Sequence, residues 1–188
     1  MFVRPVRVAP ALALLCVLAG CAGLPENTRA VHDFSAQRYL GRWYEIARLD
    51  HGFEQGLDCV TATYSRRADG GLRVVNRGVD LAAGDVSEAV GKAYFTGDKA
   101  VARLKVSFFG PFYGGYNVLA IDEDYRVALV AGNDRDYLWL LARTPTLDPT
   151  QRARFVGRAQ ALGFPVEALI AVDQGEACTD YREAAGTG

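Results

Sequence analysis

Arg103-Leu104-Lys105-Val106-Ser107-Phe108 alternates polar and apolar side chains at every step. A period of two places Arg103, Lys105 and Ser107 on one face of an extended chain and Leu104, Val106 and Phe108 on the other, the pattern of a half-buried antiparallel strand. Reading outward from this stretch, short runs of the same kind recur near 42–50, 58–66, 71–78, 88–96, 100–108, 115–122, 126–132 and 137–143. In the last of these Tyr137, Trp139, Leu141 and Arg143 alternate with Leu138, Leu140 and Ala142. Both faces are apolar, so one is expected to line a cavity and the other to meet a helix.

The connections alternate too. Those at 51–57, 79–87, 109–114 and 133–136 are long or irregular, whereas Ala68-Asp69-Gly70, Gly97-Asp98-Lys99 and Glu123-Asp124-Tyr125 are tight. Consecutive hairpins collect the long loops at one end and the tight turns at the other. The expected fold is therefore all-β: an eight-stranded antiparallel up-and-down barrel with a loose rim and a tidy base, the strand number that closes around a small interior. One helix is expected after the eighth strand. Asp148 stands at its N-cap, Pro149 at N1 and Gln151 at N3, Phe155, Val156, Ala159 and Leu162 form its apolar stripe, and Gly163 ends it. The stripe would cover the outside of the barrel, and residues 168–172 would add a short edge strand.

Residues 1–20 read as a leader: Arg4 and Arg7 precede an apolar run from Ala9 to Leu18 that is too short to span a bilayer. Leu18-Ala19-Gly20-Cys21 resembles the bacterial lipoprotein box. That resemblance implies acylation of Cys21, where a single chain binds a membrane only reversibly and two or more hold it stably. Ala22, rather than an acidic residue, follows Cys21, which in such lipoproteins permits sorting to the outer membrane. Residues 21–36 read as a polar, turn-rich tether, 37–178 as one barrel domain with its flanking helix, and 179–188 as a tail. The formal net charge of -1 becomes -3 once Arg4 and Arg7 leave, and nothing in that balance supports nucleic-acid binding. Cys16 departs with the leader, so Cys59 and Cys178 are the remaining thiols. Outside the cytosol such a pair most simply forms a disulfide, and two free thiols are the competing arrangement.

Tyr39-Leu40-Gly41-Arg42-Trp43-Tyr44-Glu45-Ile46-Ala47-Arg48 resembles the Gly-x-Trp signature that opens the lipocalin barrel. Asp124-Tyr125 falls where the family's second motif lies, and Arg143 where the basic residue of the third lies. Gly91-Lys92-Ala93-Tyr94-Phe95, the run from Lys105 to Asn117 and Asp134-Arg135-Asp136-Tyr137-Leu138-Trp139-Leu140-Leu141 are similar to the bacterial outer-membrane lipoprotein lipocalins. The resemblance implies a structural base built from Gly41, Trp43, Asp124, Tyr125 and Arg143, with the arginine over the indole. It also implies a fatty acid or lysophospholipid as partner, residence on the outer membrane facing the periplasm, and a homodimer. Candidate ligand-lining residues are Glu45, Phe108, Tyr116 and Trp139, with Phe112, Tyr113 and Tyr137 at the rim. Aromatic bodies suit an acyl chain and polar tips a head group.

No cofactor or metal is implied: His32 and His51 stand alone, without His, Asp or Glu partners at metal-ligand spacing. No serine sits in a Gly-x-Ser-x-Gly elbow. The rival classes are a cysteine-dependent lipid-modifying enzyme on this fold, which would need Cys59 free, and a structural envelope lipoprotein with a collapsed interior.

Overall fold

The computed structural model describes residues 23–184; Cys21 and the leader lie outside them. Eight antiparallel strands follow one another: β1 (Gly41–Leu49), β2 (Asp58–Arg66), β3 (Leu72–Asp80), β4 (Asp85–Phe95), β5 (Arg103–Ser107), β6 (Gly114–Ile121), β7 (Val127–Ala131) and β8 (Leu138–Ala142). Each pairs with the next, and β1 pairs with both β2 and β8, which closes the barrel and leaves no open edge within it. A ninth strand, β9 (Leu169–Ala171), adds to β1 beyond Ala47.

Inside, Trp43, Tyr64, Val74, Ala93, Leu104, Val118, Val130 and Leu141 form a core in the lower half of the barrel. On the outer face of β7 and β8, Leu129, Leu138 and Leu140 pack against Phe155 and Ala159. Those two residues belong to the helix Pro149–Ala161, here α2, after α1 (Ala36–Tyr39). The double apolar face of β8 is thereby resolved into a helix-covered side and an interior side. The α2 N-cap is Asp148, whose Oδ1 accepts from Thr150 N at 2.9 Å and Gln151 N at 3.1 Å. Gly163, at φ +81°, follows the last turn.

Four local readings change. The rim loop placed at 79–87 is instead a tight turn over Leu81–Gly84: Asp80 Oδ1 accepts from Ala82 N and Ala83 N, each at 3.0 Å, and β3 and β4 stay paired out to Asp80 and Asp85. The Asx-type carboxylate lets the hairpin extend past the sheet. β5 begins at Arg103 rather than 100, because residues 100–102 pair with the N-terminal segment: Phe34 N donates to Ala100 O, Ala102 N to Val31 O, and Val31 N to Val118 O, all at 2.9 Å. The stretch read as a tether is therefore docked on the barrel, with Ala30 and Phe34 buried. Finally, α1 and α3 (Thr179–Ala184) join α2, each too short to show helical periodicity, so α2 is not the single helix of the mature chain.

Candidate functional site

The base is built first. Trp43 is fully buried, its Nε1 donating to Tyr39 O at 2.9 Å, and the Arg143 guanidinium lies 3.9 Å from the indole centroid. Arg143 also donates to Arg42 O and Arg38 O, both at 2.8 Å, and to Tyr125 O at 3.2 Å, so one side chain ties three segments to the floor. Stacking on the indole is worth roughly 0.5 to 2 kcal/mol. Gly41, at φ +93°, turns the chain from α1 into β1. Tyr125, at φ +59°, receives the Ser35 N–H at its hydroxyl, 2.8 Å away. Asp124 does not take part in the base as expected. Its side chain is 72% exposed with only Arg126 at 4.0 Å, and the carboxylate that organises this turn is Asp122, whose Oδ1 accepts from Arg126 N and Val127 N at 2.6 Å.

Above the base, three phenols meet. The Tyr116 hydroxyl is 2.6 Å from that of Tyr39 and 2.7 Å from that of Tyr64. Desolvation raises all three phenols well above their ordinary value, so they remain neutral donors and acceptors. Tyr64 and Tyr116 border a deep recess of about 80 Å³, lined also by Glu45, Glu54, Asn76, Phe108 and Trp139. The recess shares Phe108, Trp139, Glu54 and Asn76 with an outer cavity of about 680 Å³ that opens at the rim among Phe53, Phe109, Phe112, Tyr113 and Tyr137. Its size falls within the roughly 300–1,000 Å³ of small-molecule sites. Interior walls follow strand phase: Val60, Ala62 and Tyr64 on β2, Val74 and Asn76 on β3, Val130 on β7, and Trp139 and Leu141 on β8.

One wall is charged and buried. Arg48 Nη1 donates to Glu45 Oε1 at 2.9 Å, while Nη2 donates to Glu54 O at 2.8 Å and Leu57 O at 3.1 Å. Glu54 Oε2 accepts from Trp139 Nε1 at 3.0 Å and lies 3.1 Å from His51 Nε2. Glu45, Arg48, His51 and Glu54 are all buried. Burial, reinforced by the neighbouring Glu54 charge, pushes the Glu45 carboxyl well up despite its bond to Arg48. The loop between β1 and β2 is folded over the cavity by Arg48, and His51 stacks on Phe53 with centroids 3.9 Å apart.

All seven candidate ligand-lining residues border this continuous space: Glu45 and Tyr116 in the deep recess, Phe112, Tyr113 and Tyr137 at the mouth, Phe108 and Trp139 in both. Tyr116 departs from expectation in one respect, since its hydroxyl holds the tyrosine cluster together as well as facing space. Residue reading missed Phe53, Glu54, Tyr64 and Asn76. The last two were accessible from the alternation of their strands; the first two lie in an irregular loop without periodicity. Cys59 and Cys178 form a disulfide with Cα atoms 5.3 Å apart, pinning the C-terminal segment to the start of β2.

The lipocalin-like domain model matches residues 34–174, three-quarters of the chain. This chain is a lipocalin. The outer membrane lipoprotein Blc of Citrobacter freundii is 53% identical over 174 residues, covering 93% of the lipocalin described above and 98% of the relative. The temperature-induced lipocalin-1 of Arabidopsis thaliana is 34% identical over 80% of this chain and 85% of its own. Insecticyanin from the tobacco hornworm superposes with a TM-score of 0.67 at 21% identity, covering 83% of this chain and 89% of that one, a likeness of fold alone. The fold provides a barrel cavity for a small molecule, and the thiols that a cysteine-dependent enzyme would need are joined in the disulfide. Among the described residues no group of three or more His, Cys, Asp or Glu converges as metal ligands.

Proposed function

We propose that this lipocalin holds a fatty acid or lysophospholipid in its barrel and stores or carries it at the bacterial outer membrane, to which acylated Cys21 anchors it on the periplasmic face. The observation that carries the reading is the rim-open cavity of about 680 Å³, with Phe53, Phe108, Tyr137 and Trp139 on its walls. Apolar chains gain about 25 cal/mol per Å² on entering such a space, and the polar tips of Tyr137 and Tyr113 remain for a head group. Support for the location comes from the relative at 53% identity, named an outer membrane lipoprotein.

Titration of the mature, delipidated protein with lysophospholipid, followed by Trp139 fluorescence or calorimetry, tests the cargo. A saturable one-to-one complex is expected, and no saturable binding would return the structural-lipoprotein reading. Mass spectrometry of the mature N-terminus tests the anchor, with an unmodified Cys21 as the result that overturns it. Phe109 and Phe112, each 79% exposed beside the mouth, support a homodimer through the rim. Sedimentation of the soluble domain measures it.

A further inference from the structure

The segment that follows Cys21 is fastened at the open end of the barrel. Gly23 O accepts from Asn117 Nδ2 at 3.0 Å, and the same amide donates to Gly132 O at 2.9 Å. A Cβ on Gly115 would come within 3.0 Å of Gly23 O, and Gly115 and Gly132 both border the outer cavity. Leu24 packs on the apolar cluster outside β7, and Glu26 O accepts from Arg135 Nη2 at 2.7 Å, so the position of Gly23 is fixed from both sides. Cys21 precedes Gly23 by two residues, a span of at most about 7 Å. The base lies at the far end of strands such as the nine-residue β2, roughly 30 Å of extended chain away. A lipid on Cys21 therefore brings the mouth of the barrel to the membrane and leaves the base turned away.

The two ends present surfaces to match. At the base turns Asp98, Lys99, Glu123 and Asp124 are exposed. At the mouth the exposed groups are aromatic: Phe53 is 59% exposed and Phe109 and Phe112 are each 79% exposed, the most exposed large apolar side chains among the described residues. All three border the opening of the outer cavity, and Val86 and Val90 stand exposed on the β3–β4 hairpin beside it. Aromatic rings in water gain by moving into the lipid interface, where such residues settle. A second copy can cover the same rings when the domain is free in solution. Beside an anchored Cys21, lipid is held within reach at high effective concentration and takes its place.

We propose that this lipocalin sits mouth-down on its own membrane, with Phe53, Phe109 and Phe112 in the lipid interface beside the anchor, so that the cavity opens directly onto the leaflet that holds Cys21. The inference rests on the reading of Cys21 as the acylated anchor and adds the orientation that this anchor imposes. A lipid entering or leaving the barrel then passes between the aromatic rim and the leaflet without crossing water.

The experiment uses the mature acylated protein inserted into preformed phosphatidylcholine vesicles at fewer than one copy per vesicle. Phe109→Trp places a reporter at the mouth and Lys99→Trp one at the base, each read as the difference from wild type, with circular dichroism confirming the fold. Both positions are exposed to water in the isolated chain. On vesicles, acrylamide is expected to quench the mouth reporter about threefold less, or weaker still, than the base reporter, as the ring leaves water. Equal quenching of the two by acrylamide overturns the orientation while the protein still floats with the vesicles. Shielding of the mouth reporter that appears only at many copies per vesicle assigns the rings to a second copy and overturns it as well. Failure of the protein to float with the vesicles overturns the reading of Cys21 as anchor, and the orientation with it.

Discussion

The two ends of this barrel solve opposite problems with the same kinds of side chain. At the base, Trp43 and Arg143 leave no space: the indole is fully buried, and the guanidinium lies on it and bonds three carbonyls. In the upper half, Trp139 and Arg48 frame space instead. The second indole bonds a carboxylate on a cavity wall, and the second guanidinium holds a loop over that cavity. An arginine near a tryptophan is thus stability at one end and preorganisation at the other, and what separates them is whether the interior strands converge on a plug. Substitutions at the base should register as stability, those at the rim as binding, and those between as both.

The sharpest test is Trp43→Ala, which removes the plug and is expected to cost about 3–5 kcal/mol in urea unfolding, taking lipid binding down with it. A folded variant that still binds normally would break the division between the ends. Replacing both Cys59 and Cys178 by serine opens a loop with a sequence separation of 119, and the expected loss is about 2–5 kcal/mol, read by the same denaturant midpoint. Because the bridge ties the outside of β2 to the C-terminal segment, ligand affinity should fall less than stability does.

Tyr116→Phe probes the middle. It strips a hydroxyl from between Tyr39 and Tyr64, leaving buried phenols short of a partner at about 1–3 kcal/mol. Loss of stability without loss of affinity would assign Tyr116 to the base rather than the cavity. Glu45 sharpens the comparison through pH. Its folded-state carboxyl holds its proton well above the ordinary carboxylate range, so as pH rises through that range the unfolded chain releases a proton the folded one keeps, and stability declines. Glu45→Gln should flatten that slope in thermal melts between pH 5 and 8, whereas an unchanged slope would remove Glu45 as its source. Smallest in stability is Phe112→Ser at the exposed rim, expected within about 0.5 kcal/mol of wild type. Its effect should appear in sedimentation or ligand affinity alone.

Much of the fold is written in local pattern. The alternation over 103–106, the turns at 68–70 and 123–125 and the Asp148 cap each follow from short-range geometry and have counterparts in the structure, whereas Ser107, read as polar face, is buried and the connection read as a tight turn at 97–99 runs over 96–102. Trp43, Arg143, Phe108 and Trp139 were likewise legible, because a signature or a strand phase points to them. Asp122 was not: a carboxylate that bonds two turn amides cannot be told from its neighbour Asp124 until the turn's dihedrals are set.

Sequence by itself determined the strand count and the helix with its cap, since these depend on side-chain period and turn chemistry, and left the two cysteines a choice between a bridge and free thiols that the structure closed. Tertiary structure alone decided that residues 31–34 dock on 100–102 and β6, that Leu81–Gly84 is a tight turn, and that Glu45, Glu54 and Asn76 line one recess. The reason is physical. Period and capping act over a few bonds, whereas the meeting of β1, β3 and the irregular loop between β1 and β2 exists only once the barrel has closed.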